Sequence, residues 1–254
     1  DKLLQKRSEP APLATKEITL PEYAEHEVGM IPQLAARFET AAQLPGAEYL
    51  AKLRYLILPI READAVPQPL RCKTLLELPR AAFGTVESDT MRRLAALEGS
   101  GFAGVVANNL AQFGYASPLP VFGGLGLNVT NPMSAAEYVC LGACGLLVQP
   151  ETALTAMRAV APRQKDGTPV PTAALCYGHL PLMLTRACPL RNVRTSCAGC
   201  THKGKLRDRK GRDFPVRCSA PGSAGMRTVF NPVPLYMGDR LTEMPVDLAV
   251  AAFT

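Results

Sequence analysis

Eight short apolar runs recur along the chain, and their number and spacing constrain the fold more than any other feature. They are Gln33–Phe38, Leu53–Pro59, Thr74–Leu78, Phe102–Ala107, Leu119–Phe122, Gly145–Val148, Val170–Cys176 and Val246–Ala251. Apolar runs of this length, bounded by polar turns, read as strands. Helical patterns lie between them, clearest at Asp89–Leu97, Ser134–Leu141 and Glu151–Val160. In the first, Met91, Leu94, Ala95 and Leu97 take one side, and Arg92, Arg93 and Glu98 the other. Ser134 and Thr130 are suitable helix caps. Strands alternating with helices predict a parallel sheet covered by helices. Eight of them in 254 residues predict an α/β fold, a TIM-type (β/α)8 barrel. A doubly wound open sheet is the alternative. Residues 1 to 30 are polar and proline-containing and read as a linker or lead-in to a barrel domain over 31–254.

A barrel makes a second demand, that functional side chains follow the strands at the C-terminal mouth. Polar residues recur there: Glu39, Arg61 and Glu62, Arg80, Asn108 and Asn109, Asn128 and Asn131, Gln149 and Glu151, then Tyr177 and His179. Of these, Asn128, Glu151, Tyr177 and His179 are the candidate catalytic residues. Each has a plain structural alternative, such as a turn for Asn128 or a first-turn helix acid for Glu151.

The segment Cys188–Cys218 falls after the seventh strand and carries cysteines spaced C-x8-C-x2-C-x17-C. Four thiolates complete either a zinc site or an iron–sulfur cluster. All-cysteine zinc sites usually show two C-x2-C pairs, and here only Cys197 and Cys200 form one. The irregular spacing favours an iron–sulfur cluster on Cys188, Cys197, Cys200 and Cys218, with zinc, or ordinary free or paired thiols, as the alternatives. The cysteine-rich insertion, 186–218, is expected to be a loop. It holds ten Lys/Arg against Asp208 and Asp213, a net +8 where the whole chain has +6. The basic character is therefore local. Such a patch attracts a polyanion, and Arg191, Arg194, Lys203, Lys205, Arg207 and Arg209 are candidate contacts to RNA phosphates. Solvated charges, or cations paired with nearby carboxylates, are the alternative.

Apolar residues make up 47% of the chain and charged residues 20%, as in an ordinary globular protein. The longest apolar stretch, Tyr138–Val148, is too short to span a bilayer, so no membrane partner is expected. Eight cysteines without a recognisable secretory signal suggest a reducing, cytoplasmic setting. Cys140 and Cys176 lie in apolar patterns and read as small buried hydrophobes. Asp1 in place of an initiator methionine is expected of a processed chain or a portion of a longer one.

Several segments together resemble the collagenase-like peptidase family U-32, its large multidomain members above all. They are VVANNL at 105–110, GLGLNVTNP at 124–132, LLVQPET at 146–152, YGHLPLMLTRACP at 177–189, CAGC at 197–200, LRDRKGRDFPVRC at 206–218 and NPVPLYMGDRL at 231–241. The resemblance runs over about 33–254. It implies a TIM-like barrel and a [4Fe–4S] region matched by Cys188, Cys197, Cys200 and Cys218. It also implies a partner in an upstream domain of the same polypeptide. Members were first named as proteases, while relatives take part in oxygen-independent hydroxylation of tRNA, rRNA or ubiquinone precursors.

A protease requires a nucleophile, a base and an oxyanion hole within reach of one another. Neither a G-x-S-x-G elbow nor an H-E-x-x-H helix occurs, and a Cys176–His179 pair is the one dyad to consider. A cluster-dependent RNA hydroxylase accounts better for the cysteines and the charge. A non-catalytic barrel that binds cluster or RNA is the third class.

Overall fold

The computed structural model describes residues 23–27, 29–115, 117–191, 197, 200–219 and 225–254. The strands up to the insertion are β1 (Gln33–Arg37), β2 (Tyr55–Pro59), β3 (Thr74–Glu77), β4 (Gly104–Ala107), β5 (Val121–Gly123), β6 (Ala143–Leu147) and β7 (Thr172–Gly178). Then come β8 (Pro181–Thr185), β9 (Lys203–Arg207), β10 (Asp213–Cys218), β11 (Arg227–Phe230), β12 (Leu235–Tyr236) and β13 (Leu248–Ala252). Strands β1 to β7 and β13 pair in parallel, each with both neighbours. The β6–β7, β7–β13 and β13–β1 ladders close the ring. This is the expected barrel, not the open sheet.

Side chains alternate across the ring with the strand period of two. Leu56, Leu58, Leu76 and Val105 point outward into one buried cluster, and Ala174, Cys176 and Ala249 into a second. Ala35, Ile57, Leu75, Val106, Leu175 and Val250 point into the ring. Both faces are buried, which is why the strands read as apolar runs. The outer layer includes α1 (Ala47–Leu50), α2 (Gln68–Arg71), α3 (Thr85–Ala95), α4 (Pro132–Cys140) and α5 (Leu154–Met157). The third helical pattern, expected over Glu151–Val160, shortens to the single turn of α5. Glu151 and Thr152 lie in a turn closed by Thr152 N–H to the Gln149 carbonyl (3.0 Å), and Ala159 and Val160 bond back only three residues.

The insertion after β7 departs from expectation. It is a four-stranded antiparallel sheet, β8–β11–β10–β9, and not a loop. In β9 the residues Lys203, Lys205 and Arg207 are exposed while Gly204 and Leu206 are not, a period-two pattern that the density of charge concealed. Strand β12 then pairs antiparallel to the end of β7, Leu235 with Gly178 and Tyr236 with Tyr177. Of the lead-in, residues 23–27, 29 and 30 are described. They dock on the barrel, with His26 Nε2 at 3.0 Å from the Val160 carbonyl and 2.8 Å from Thr172 Oγ1. Among the described residues no helix is long and apolar enough to cross a membrane.

Asn108 locks β3, β4 and the turn after β5 together. Its Nδ2 donates to the Leu78 carbonyl (2.9 Å), its Oδ1 accepts from Gly126 N–H (3.1 Å), and its own N–H donates to Gln112 Oε1 (2.6 Å). Gly126 must be glycine, because a Cβ there would collide with the Asn108 carbonyl. Asn108 is 2% exposed, so its partners cannot turn to water. Asn108→Ala would leave a buried carbonyl and a buried N–H unsatisfied. The expected loss is about 3 kcal/mol of stability by urea unfolding; a loss under about 1 kcal/mol would show that the clamp is dispensable.

Candidate functional site: a barrel-mouth cavity beneath a cysteine-bearing cap

Small residues on the inner wall leave the barrel partly hollow. Ala35, Gly145, Ala173 and Ala252 stand where a filled barrel would carry Val, Ile or Leu. The resulting cavity has a volume of about 540 Å³ and opens at the C-terminal mouth. Its deep wall is apolar, with Ile57, Leu75, Val106, Leu175 and Val250 beside the edge-to-face pair Tyr55–Phe122 (5.8 Å between centroids). The cap covers the mouth through Leu184, Arg217, Cys218, Met226, Thr228 and Phe230. Arg186, just past β8, rests its guanidinium 5.3 Å from the Phe83 ring and so ties the cap to the β3–α3 loop.

The rim is charged on the side formed by β1, β2 and β3. Arg37 donates from Nε to Glu77 Oε2 (2.8 Å) and from Nη1 to Glu39 Oε1 (2.8 Å), and Arg61 also reaches Glu39 (3.4 Å). Burial alone would lower the Arg37 pKa, but Glu77 and Glu39 more than offset it and raise it. Burial alone would raise that of Glu39, yet Arg37 and Arg61 hold it below the usual carboxylate range. Arg37 and Glu39 therefore stay ionised. Sequence patterning missed Arg37 and Glu77, though a signal was present. Each is a charged residue two positions on from an inward apolar one, Ala35 or Leu75, and a charge on an inner wall demands a partner.

The four catalytic candidates all lie at C-terminal strand ends, but they do not converge. His179 lines the cavity. Its Nδ1–H donates to the Asn231 carbonyl (2.7 Å), which leaves Nε2 of the neutral ring as a proton acceptor. Asn128, Glu151 and Tyr177 are absent from the cavity wall. Asn128 is a left-handed residue (φ 53°) ending the turn Leu125–Leu127, and Glu151 sits exposed in the turn after β6. Tyr177 lies against Phe253 with centroids 5.6 Å apart. Cys176 faces the outer core, away from the cavity, and burial pushes its thiol pKa up. A Cys176–His179 dyad therefore does not form.

The cap register carries the four cysteines of the insertion to one end of its sheet. Cys218 ends β10 opposite Arg227, and Arg227 pairs with Thr185, three residues before Cys188. Cys218 N–H also bonds to the His202 carbonyl (2.9 Å), two residues after Cys200, whose N–H bonds to the Cys197 carbonyl (3.1 Å). A [4Fe–4S] cluster takes four thiolates around one centre. The donors fit in kind, and the register brings their backbones to one end of the sheet; among the described residues no three His, Cys, Asp or Glu side chains gather as a set able to hold a metal ion.

The basic residues form a row. Lys203 pairs in register with Arg217, Lys205 with Pro215 and Arg207 with Asp213, so a line of cations leads outward from the cavity wall. Asp213 accepts from Arg207 (2.7 Å) and Lys205 (2.6 Å), and both hold its pKa well below the usual range. Arg191 and Arg209 are exposed. Arg194 lies outside the described residues.

Solved structures of similar shape share little sequence. The first is described as "The Structure of the U32 Peptidase Mk0906" (TM-score 0.48, 10% identity, 92% of this chain and 97% of that one). The spore cortex-lytic enzyme SleL of Bacillus cereus follows (TM-score 0.36, 11% identity, 92% and 72%), and that of Bacillus megaterium (0.29, 11%, 91% and 71%). No protein-family model and no curated protein sequence matches the chain.

The rim network makes a testable prediction. Arg37→Met would leave Glu77 without its ion pair and Glu39 with Arg61 alone, in a half-buried setting, at a cost of about 3 kcal/mol at neutral pH. Glu39 has a depressed pKa, so its stabilising contribution exists above the unfolded-state value and is lost as pH falls through the folded one. The gap between parent and variant should therefore narrow below about pH 4. Urea unfolding at pH 7 and at about pH 3 measures it; a gap that is constant with pH would exclude the carboxylates as its cause.

Proposed function

We propose that the chain is the barrel portion of an iron–sulfur-dependent RNA-modifying protein of hydroxylase type, working with an upstream domain of the same polypeptide. The observation that carries this reading is the position of β10. That one strand lays both Cys218 and Arg217, the start of the cationic row, against a single cavity. Cys188, Cys197, Cys200 and Cys218 would hold the cluster, drawing together as it binds. A bound [4Fe–4S] cluster supplies one-electron chemistry beside the mouth.

The remaining roles belong to the chain itself. Lys203, Lys205, Arg207 and the exposed Arg191 and Arg209 offer phosphate contacts, which position a strand without reading its sequence. A single-stranded nucleotide turned out of its stack enters the cavity, where the apolar wall excludes water and Tyr55 and Phe122 offer ring surface. His179 Nε2 accepts a proton from a bound group, held in that role by Nδ1–H on Asn231. The peptidase alternative has less support, because the thiol nearest His179 in sequence faces the other side of the strand.

Chain purified without oxygen should show broad visible absorption and about four irons, and Cys218→Ser should lower the iron content. Zinc in place of iron would overturn the cluster assignment. In a salt series with single-stranded RNA, replacing Lys203, Lys205 and Arg207 by Ala should flatten log affinity against log salt by about 0.7 for each phosphate the variant no longer neutralises. Equal slopes for parent and triple variant would leave the row structural.

A further inference from the structure

The charges facing the cavity do not balance. Five arginines line it (Arg37, Arg61, Arg80, Arg93 and Arg217) against three carboxylates. Each carboxylate is already engaged: Glu77 by Arg37, Glu39 by Arg37 and Arg61, and Asp89 by Arg92 and Arg93. Two cations are left over. Arg80 is half-buried, and no carboxylate lies within ion-pair distance of it among the described residues. Its surroundings oppose its charge, since burial and neighbouring Arg37 lower its pKa and Glu77 only partly offsets them. Among the described residues Arg217 donates only to backbone carbonyls, of Val216 (3.2 Å) and Thr254 (3.3 Å), and its buried Nε meets no acceptor.

Both line the cavity. Arg37, paired with Glu77 three residues before Arg80, receives the Phe253 N–H on its carbonyl (2.8 Å), and Arg217 holds the next residue, Thr254. An unmatched, partly desolvated cation costs stability, so its retention at the lip of an apolar cavity calls for an anion from outside. Two guanidiniums suit a phosphate better than a single-charged carboxylate, through their forked donors. The apolar wall below suits a ring joined to that anion.

We propose that Arg80, with Arg217 on the wall of the same cavity, is its phosphate-binding subsite, holding the 5′-phosphate of a nucleotide whose base lies in the barrel. This rests on the RNA reading above and is separate from the phosphate row on β9, which lies outside the cavity.

The test compares binding of the four ribonucleoside 5′-monophosphates with that of the four nucleosides, by titration calorimetry or ligand-observed NMR, on the parent, Arg80→Gln and Arg80→Lys. At least one monophosphate should bind the parent about ten- to a hundredfold tighter than its nucleoside, the range for hydrogen bonds to charged groups. Arg80→Gln should erase that gain, and Arg80→Lys should restore part of it. Arg80→Gln should melt no lower than the parent, so misfolding would not mimic the result. Equal binding of nucleoside and monophosphate by the parent, or an undiminished gain in Arg80→Gln, overturns the subsite. So does tighter binding of benzoate than of every monophosphate. Long single-stranded RNA measured on the same samples separates the two ideas. Salt-dependent RNA binding without a monophosphate gain sinks the subsite alone, while a gain erased in Arg80→Gln without RNA binding supports the subsite and sinks the RNA reading.

Discussion

Closure of the ring is the constraint on which the rest depends. Because β13 pairs with both β1 and β7, and β6 pairs with β7, no strand of the eight has a free edge. Each strand must then bury side chains on two faces with a period of two. The outward residues, bulky on β2 and β3 and smaller on β7 and β13, complete the outer core. The inward ones are mixed, and where Ala35, Ala173 and Ala252 replace larger residues the interior opens into a cavity. The cavity is thus a product of side-chain size within a closed ring. Its polar rim follows from the same alternation, since the inward positions continue past the strands' apolar centres to Arg37 and Glu77.

Charge in this molecule is arranged in three ways. At the rim, Arg37 is satisfied by two carboxylates in a half-buried setting, so it serves rigidity. On the cap, Lys205 and Arg207 share one carboxylate in the open, where water and salt weaken the pairing and a phosphate can compete for it. At the lip, Arg80 and Arg217 have no carboxylate within ion-pair distance among the described residues. The first arrangement holds the mouth in shape, and the other two leave positive charge in reach of a ligand.

Much of the barrel was legible in the sequence because long-range closure leaves a local mark. All eight apolar runs overlap the strands found, and the end of β4 and the place of the insertion stand where patterning puts them. The rest was hidden for physical reasons. The cap strand β9 alternates charge with Gly204 and Leu206, so a scan for apolar periodicity passes over it. Arg37 and Glu77 sit inside apolar runs, where a charge looks like an interruption until its partner across the sheet is seen. Asn108 read as one more polar residue at the mouth, yet its amide is consumed by backbone groups of two neighbouring connections. Asn128, Glu151 and Tyr177 share the right end of the barrel without lining the cavity, since strand-end position does not specify whether a side chain turns inward.

The short pairing of β12 with β7 has a consequence for how the chain is assembled. Leu235 lies opposite Gly178, so the chain leaves the barrel and returns to it at the same point. The glycine is required there, because it adopts φ 130° and a Cβ would press on the Ala252 carbonyl. The cap is therefore an excursion with its two ends already stitched together, and the barrel's ladders do not run through it. A backbone break within the excursion would leave every ring pairing intact, and a chain in which a tight turn joined the two ends would still have all eight strands to close. Lengthening or recasting the cap alters what sits over the mouth without disturbing the ring, which makes it the part of the molecule most open to change in the course of descent.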